Sequence, residues 1–281
     1  IFLSAFRGDL VAPSESRLRE LMRRELDRMA QLAGGEPRPA MLSYETLNTI
    51  ATQSLLRTML GVDPESETAA SLEAMYRRLG PRGVVEEAGA EQAVPFQEIH
   101  DVVAQLRQSI ELDPRSPAAD SVLRRLVERA PSEIDETLIG NLIYMVERGR
   151  HDLRDLLRWI VKYLSDHPVP VAAMRADLAG PSGTSRLAEA CVLETLRLDQ
   201  AEVLHRRAVQ SFEFEGFRFP KECGVAILIR ESHRNPVAFA DPDAFRPERF
   251  LDRRPSRDEY APFGIDEHQC QGFRAGHSTA K

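Results

Sequence analysis

Cysteine is scarce in this chain: Cys191, Cys223 and Cys270 are the only three in 281 residues. They are too few and too far apart for a disulfide framework or a CxxC zinc site, and such usage suits a reducing cytoplasm. No apolar run reaches the ~18 residues that a membrane span needs. Near the start, Arg7, Asp9 and Glu15 break up any leader-type apolar stretch. A basic excess is also missing. With 37 Lys and Arg against 44 Asp and Glu, the net charge is −7, which argues against a nucleic-acid binder. The arginines are scattered along helices among Glu and Asp, as on solvated helix faces. Repeats and low-complexity tracts are absent. What is present, 42% hydrophobic and 29% charged residues, fits a soluble globular protein.

The first two-thirds of the chain reads as helical. Ser14 or Ser16 is placed to cap a helix carrying Leu18, Leu21, Met22, Leu26 and Met29, which Gly34-Gly35 would end. A second helix carries Leu47, Ile50, Leu55 and Met59 and stops at Gly61. Others are expected over 65–79, 95–110 and 118–129, with a loop over 80–95. The longest periodic segment follows, about 132–164, with Leu138, Leu142, Met145, Gly149, Leu153, Leu156, Ile160 and Leu164 along one stripe. At ~1.5 Å per residue it would be about 50 Å long. Its centre, Glu147 to Asp152, is polar where its flanks are apolar, so that turn is either wetted or serving a site. From Val209 the pattern changes to short alternating runs. Phe212, Phe214, Phe217 and Phe219 around Gly216 predict a hairpin, and Val225 to Ile229 a buried strand. From His233 onward, Pro, Asp, Arg and Phe recur without a regular period.

Near the C-terminus stands Pro262-Phe263-Gly264-Ile265-Asp266-Glu267-His268-Gln269-Cys270-Gln271-Gly272. A Cys beside a Gly is by itself usually a small buried apolar residue. This segment, however, resembles the haem-binding loop of the cytochrome P450 family, Phe-Gly-x-Gly-x-His-x-Cys-x-Gly. Phe263, Gly264, His268, Cys270 and Gly272 match it, while Asp266 stands where the family has its second glycine. A thiolate must reach iron from a tight turn while backbone N–H groups hold it as S⁻, and glycines permit that approach. Three further motifs follow the family's order. Glu194-Thr195-Leu196-Arg197 matches ExxR, and Phe245-Arg246-Pro247-Glu248-Arg249-Phe250 looks like the PERF box, preceded by His233-Arg234-Asn235-Pro236. Arg206 resembles the family's propionate-binding arginine.

The resemblance implies a mainly α fold with a small β portion, a partial cytochrome P450 fold, in a single domain over 1–281. Within it, 1–205 would be a helical body including an ExxR helix about 187–198. The β portion would cover 206–232, and the meander and haem loop 233–281. It implies haem b ligated by Cys270, with His268 and Arg206 on the propionates and Phe263 shielding the sulfur. Glu194, Arg197 and Arg249 would form a buried structural triad. On the long helix Gly149 fits the family's oxygen-binding stretch, but His151 stands at its acid position and Asp152 at its alcohol position. The implied activity is a cytoplasmic haem-thiolate monooxygenase acting on a small organic substrate, with dioxygen and electrons from a ferredoxin-type redox partner.

Two departures keep alternatives open. Proton delivery needs titratable groups, which Asp152 could still supply; a peroxide-using variant is the alternative, as is mutual pairing of Arg148, Arg150, His151 and Asp152 in a wetted cavity. The family is also longer than this chain at both ends, and the residues after Gly272 make a poor helix. The chain is therefore expected to be a fragment, with a degenerate P450-like scaffold or relic as the non-enzyme alternative.

Overall fold

The computed structural model describes residues 5–6, 11–32, 44–79, 90–113, 121–130, 132, 134–181, 184–199, 203–265 and 269–272. They are mainly α-helical with a small β portion. The chain divides into two compact units, Ile1–Arg158 with Gln271–Ala280, and Trp159–Cys270 with Lys281.

In the first unit a 3₁₀ turn, Ala12–Ser14, leads into helix α1, Glu15–Leu32. Ser14 is buried, and its hydroxyl accepts from Arg57 Nε at 3.1 Å. Helix α2, Tyr44–Leu55, runs on as a π-helical turn, Leu56–Leu60. Gly61, with φ of +76°, ends that turn by donating its N–H to the Arg57 carbonyl at 3.1 Å, a left-handed cap that glycine takes without strain. Helix α3, Glu67–Arg78, is capped by the Ser66 hydroxyl on the Ala69 N–H, and α5, Val122–Arg129, by Ser121 on the Arg124 N–H. Between them α4, Ala90–Leu112, begins five residues before the expected start at Pro95 and takes that proline inside, at the loss of one helical hydrogen bond. Leu56, Met59, Leu72, Tyr76, Ile99, Leu123, Leu126, Leu142 and Val146 form the core of this unit. Fully burying side chains of this size contributes roughly 1.5–3 kcal/mol each.

Helix α6, Glu136–Asp166, is the long helix. It begins at Glu136, four residues after the expected start, because the Asp135 carboxylate accepts from the Leu138 N–H at 2.8 Å and caps it there. Its residues to Arg158 belong to the first unit and those from Trp159 to the second.

The second unit continues with α7, Pro168–Ala179, which no periodicity announced. Pro168 looks like a helix stop, and it is one, but proline is also favoured in a first turn, where its missing N–H costs nothing. Helix α8, Arg186–Asp199, carries the ExxR motif. Strand β1, Val203–Arg207, starts three residues before the expected β portion and pairs antiparallel with β4, Gly224–Leu228, with Arg206 opposite Val225. Between them β2, Phe212–Phe214, and β3, Phe217–Phe219, form the expected hairpin. Its turn residues Glu215 and Gly216 both have positive φ, the geometry that matches strand twist in a two-residue turn. Phe212 and Phe219 stack with centroids 4.7 Å apart. Among the described residues beyond, only the single turns α9, Ile229–Ser232, and α10, Arg249–Asp252, interrupt the irregular chain.

Candidate functional site

Two charges on α8 bind much of the irregular chain of the second unit. Glu194 and Arg197 lie three residues apart on one helix face and are both fully buried. The pair is bidentate, Arg197 Nε to Glu194 Oε2 at 2.8 Å and Nη2 to Oε1 at 2.9 Å. Arg197 also donates to the carbonyls of His233 at 2.9 Å, Pro242 at 2.7 Å and Ala244 at 3.2 Å. All five guanidinium N–H groups are thereby used. Glu194 Oε1 further accepts from the Arg246 N–H at 2.8 Å and Arg249 Nε at 3.1 Å. Arg249 then donates to the Ala240 carbonyl at 2.9 Å, and Arg253 to that of Ala238. Buried Phe239 sits among these cations, its ring centroid 5.1 Å from Arg197, 6.0 Å from Arg249 and 5.7 Å from Arg253, close enough for attraction by the ring face. The irregular segment is thus ordered by arginines that take up the carbonyls a helix or sheet would otherwise satisfy.

The Cys270 loop hangs from this assembly. Tyr260 donates its hydroxyl to the Leu193 carbonyl at 2.8 Å. Burial first, then the Glu194 charge, push that hydroxyl well above its ordinary pKa, so it stays a donor. The Ala261 N–H donates to His233 Nε2 at 2.9 Å. Gly264, with φ of +73°, donates its N–H to the Ala261 carbonyl at 3.0 Å, and the Cys270 N–H donates to the Phe263 carbonyl at 2.8 Å, closing the loop. Asp266 and His268 lie outside the described residues, and Gly272 follows Cys270 in a turn. The three cysteines differ. Burial, then Glu248 and Glu194, push the Cys191 thiol up to about 12; Cys223 is half-buried and Cys270 exposed. Arg206 projects from β1 as an exposed cation whose Nη1 donates to the His205 carbonyl at 2.8 Å.

Gly149, His151 and Asp152 lie on α6 in the first unit. A Cβ added to Gly149 would come within 3.0 Å of Leu55 Cδ1, so a larger residue there would have to shift the end of that α2 side chain. Fully buried Glu147 takes Arg150 bidentately at 2.7 and 2.8 Å. It also meets His151 Nε2 at 2.9 Å, while His151 Nδ1 meets Arg154 Nη1 at 2.9 Å. Arginine cannot accept, so Nδ1 must, and His151 carries its proton on Nε2 and donates it to Glu147. Burial pushes the Glu147 carboxyl up, but the hydrogen bonds from His151 and Arg150 outweigh it and hold it below the usual carboxylate range. Arg154 reaches the Tyr44 hydroxyl at 2.6 Å. Arg150 and His151 are therefore both bound to Glu147 rather than to each other. Asp152 is exposed.

Comparison with known proteins bears on the fold around these arrangements. A family model described as cytochrome P450 matches residues 184–279. The solved structure of a cyanobacterial CYP120A1 with retinoic acid bound superposes on 99% of this chain and 68% of its own, with a TM-score of 0.76 at 16% identity. Ligand-free cytochrome P450 TbtJ1 superposes on 99% and 69%, with a TM-score of 0.74 at 21% identity. The chain has the cytochrome P450 fold, and its residues 184–279 match the cytochrome P450 family. Among curated relatives, cytochrome P450 137 of Mycobacterium tuberculosis is 28% identical over 275 residues, 88% of this chain and 57% of its own length. Abscisic acid 8'-hydroxylase 3 of Oryza sativa subsp. indica is 34% identical over 155 residues, 49% of this chain and 31% of its own. The chain thus spans less than two thirds of the length of either relative.

Within the P450 fold, the structure brings together Glu194, Arg197 and Arg249, and, separately, Phe263, Gly264 and Cys270. Sequence reading missed Phe239, Arg253, Tyr260 and the His233 ring, because most of their partners are backbone atoms or guanidinium groups that no spacing announces. It also missed Glu147 as the partner of His151, although a carboxylate four residues before a histidine on a helix is a readable signal.

Two outcomes follow from this geometry. Arg197→Leu strands a buried carboxylate and should cost about 3–5 kcal/mol in urea unfolding, whereas Arg253→Ala, whose side chain is 46% exposed, should cost about 1 kcal/mol or less. The second concerns pH. Burial first, and then the Arg197 charge, lower His233 from 6.5 to about 4. Between those values the unfolded chain binds a proton that the folded chain does not. Stability should therefore fall as pH drops from about 6.5 to 4, by about 3 kcal/mol in all from this group. In His233→Gln, the slope of unfolding free energy against pH should flatten across that window.

Proposed function

We propose that this chain is the haem-thiolate portion of a P450-type monooxygenase, with Cys270 as the axial ligand of haem b. The observation that carries the reading is the closed, Gly264-hinged loop that leaves Cys270 exposed while the other two cysteines are half-buried or buried. A thiolate ligand needs both a fixed backbone and an accessible sulfur. Exposed Arg206, and His268 as the resemblance assigns it, would pair with the propionates. Phe263 would shield the sulfur. When bound, the haem would supply the dioxygen chemistry: one oxygen atom enters a C–H bond and the other leaves as water, using two electrons and two protons. A small organic substrate and a ferredoxin-type electron donor complete the reading, and the hydroxylase name of the rice relatives supports oxygen insertion as the reaction class.

Gly149, His151 and Asp152 keep, in this reading, the oxygen-side role the resemblance gives them. His151 already donates its proton to Glu147, so the burden of proton supply falls on Asp152. That same commitment favours the peroxide-using variant as the second reading, because peroxide brings its own protons.

The ligand assignment is tested by the carbon monoxide difference spectrum of the reduced, haem-reconstituted chain. The red-shifted Soret band of thiolate ligation is expected, and Cys270→Ala should abolish it. A variant that kept the band would remove Cys270 from the role. Product formation should separate the two oxidant readings. Asp152→Asn is expected to lower dioxygen-driven turnover about a hundred-fold or more and to leave hydrogen peroxide-driven turnover near that of the parent. An equal effect on both would take proton supply away from Asp152.

A further inference from the structure

His233 belongs to none of the motifs in the ligand loop, yet it is bonded on two sides. Its backbone carbonyl accepts from Arg197 Nη1 at 2.9 Å, and its ring Nε2 accepts from the Ala261 N–H at 2.9 Å. From there the connection is continuous: the Ala261 carbonyl takes the Gly264 N–H at 3.0 Å, and the Phe263 carbonyl takes the Cys270 N–H at 2.8 Å. The ring is almost wholly buried, and it packs 5.1 Å from the Tyr260 ring, tilted by 32°. Accepting at Nε2 requires the neutral tautomer with its proton on Nδ1. Buried Nδ1 has no hydrogen-bond partner among the described residues, an orphaned donor that an apolar side chain of the same size would avoid. The histidine carries that cost and supplies one thing an apolar residue could not, an acceptor for the N–H at the base of the loop.

We infer that His233 is a positioning residue for Cys270, its imidazole transmitting the placement of the buried Glu194–Arg197 pair to the turn from which the thiolate loop hangs. This rests on Cys270 as the haem ligand. His233 touches neither ligand nor substrate in this role; it acts through Ala261, and the sulfur is held to one approach because both ends of its loop close on the same turn.

The test compares the full chain with His233→Gln and His233→Asn, which match in polarity and differ in reach. The Gln amide oxygen extends to about where Nε2 lies, and that of Asn stops near the position of Nδ1. Amide hydrogen exchange is read first on the apo chain. In His233→Asn the Ala261, Gly264 and Cys270 amides should exchange about five- to ten-fold faster, as expected for the loss of one hydrogen bond, while the α8 amides hold and His233→Gln stays near the parent. Equal exchange in both variants, or a rise spread evenly over α8 and the loop, overturns the proposal. The haem-reconstituted proteins are then compared by carbon monoxide difference spectrum at equal haem content. The thiolate-type fraction should drop in His233→Asn and be retained in His233→Gln. An unchanged fraction in His233→Asn also overturns the proposal. If the parent itself shows no thiolate band, the reading of Cys270 has failed, and the exchange result alone still decides whether His233 holds the loop.

Discussion

The ordered part of the second unit depends on one buried ion pair, Glu194 with Arg197. Two charges taken out of water cost several kcal/mol each unless every lone pair and proton finds a partner. Here they do: the five Arg197 donors and the Glu194 oxygens are satisfied by each other, by Arg249, and by the backbone at His233, Pro242, Ala244 and Arg246. Each partner is a point on an otherwise irregular chain. The pair can be paid for only when that chain is wrapped around it, so its burial and the order of the meander are one event. Phe239, ringed by three guanidinium groups, fills the centre that the backbone encloses.

The first unit contains a second pair of the same form. Glu147 and Arg150 are also three residues apart on a helix, buried and bidentate. Their outer partners differ. Arg150 turns to Asn48 and to the Tyr76 carbonyl, inside a helical core. Glu147 has capacity left for His151, which in turn meets Arg154. Much of the polar centre of this long apolar helix is thereby explained: Glu147, Arg150, His151 and Arg154 are bonded to one another and to α2 and α3. The consequence for chemistry is that two adjacent titratable residues are unequal, His151 tied down on both ring nitrogens and Asp152 exposed.

The Cys270 loop shows how a reactive side chain can be both held and accessible. Nothing in the described structure packs Cys270 away; its position comes from the backbone, through Phe263, the positive-φ Gly264 and Ala261. Those residues are fixed by Tyr260 and His233, which reach α8 directly or through Arg197. Rigidity is thus delivered to the sulfur from behind, by hydrogen bonds to main-chain atoms.

The amino-acid sequence determined what is local or repetitive. Helical periodicity placed the long helix and the ExxR helix to within a few residues, because a 3.6-residue stripe of Leu, Ile and Met has few other ways to bury itself. Gly216 between alternating Phe residues announced the hairpin, and Gly61 the end of the π-helical turn after α2, because both turns need positive φ. The ordered series of motifs pointed to the P450 fold and to Cys270. Only the tertiary structure decided the rest. Pro168 both stops one helix and starts the next, since proline is compatible with either role and context selects. Ser14 bonds Arg57, and Pro95 sits within α4. Above all, Arg197 and the His233 ring bond carbonyls and an N–H 28 or more residues away, and Phe239 meets three guanidinium groups. Every residue owns a carbonyl and every residue but proline an N–H, so residue type does little to mark those that will be used, and folding selects them.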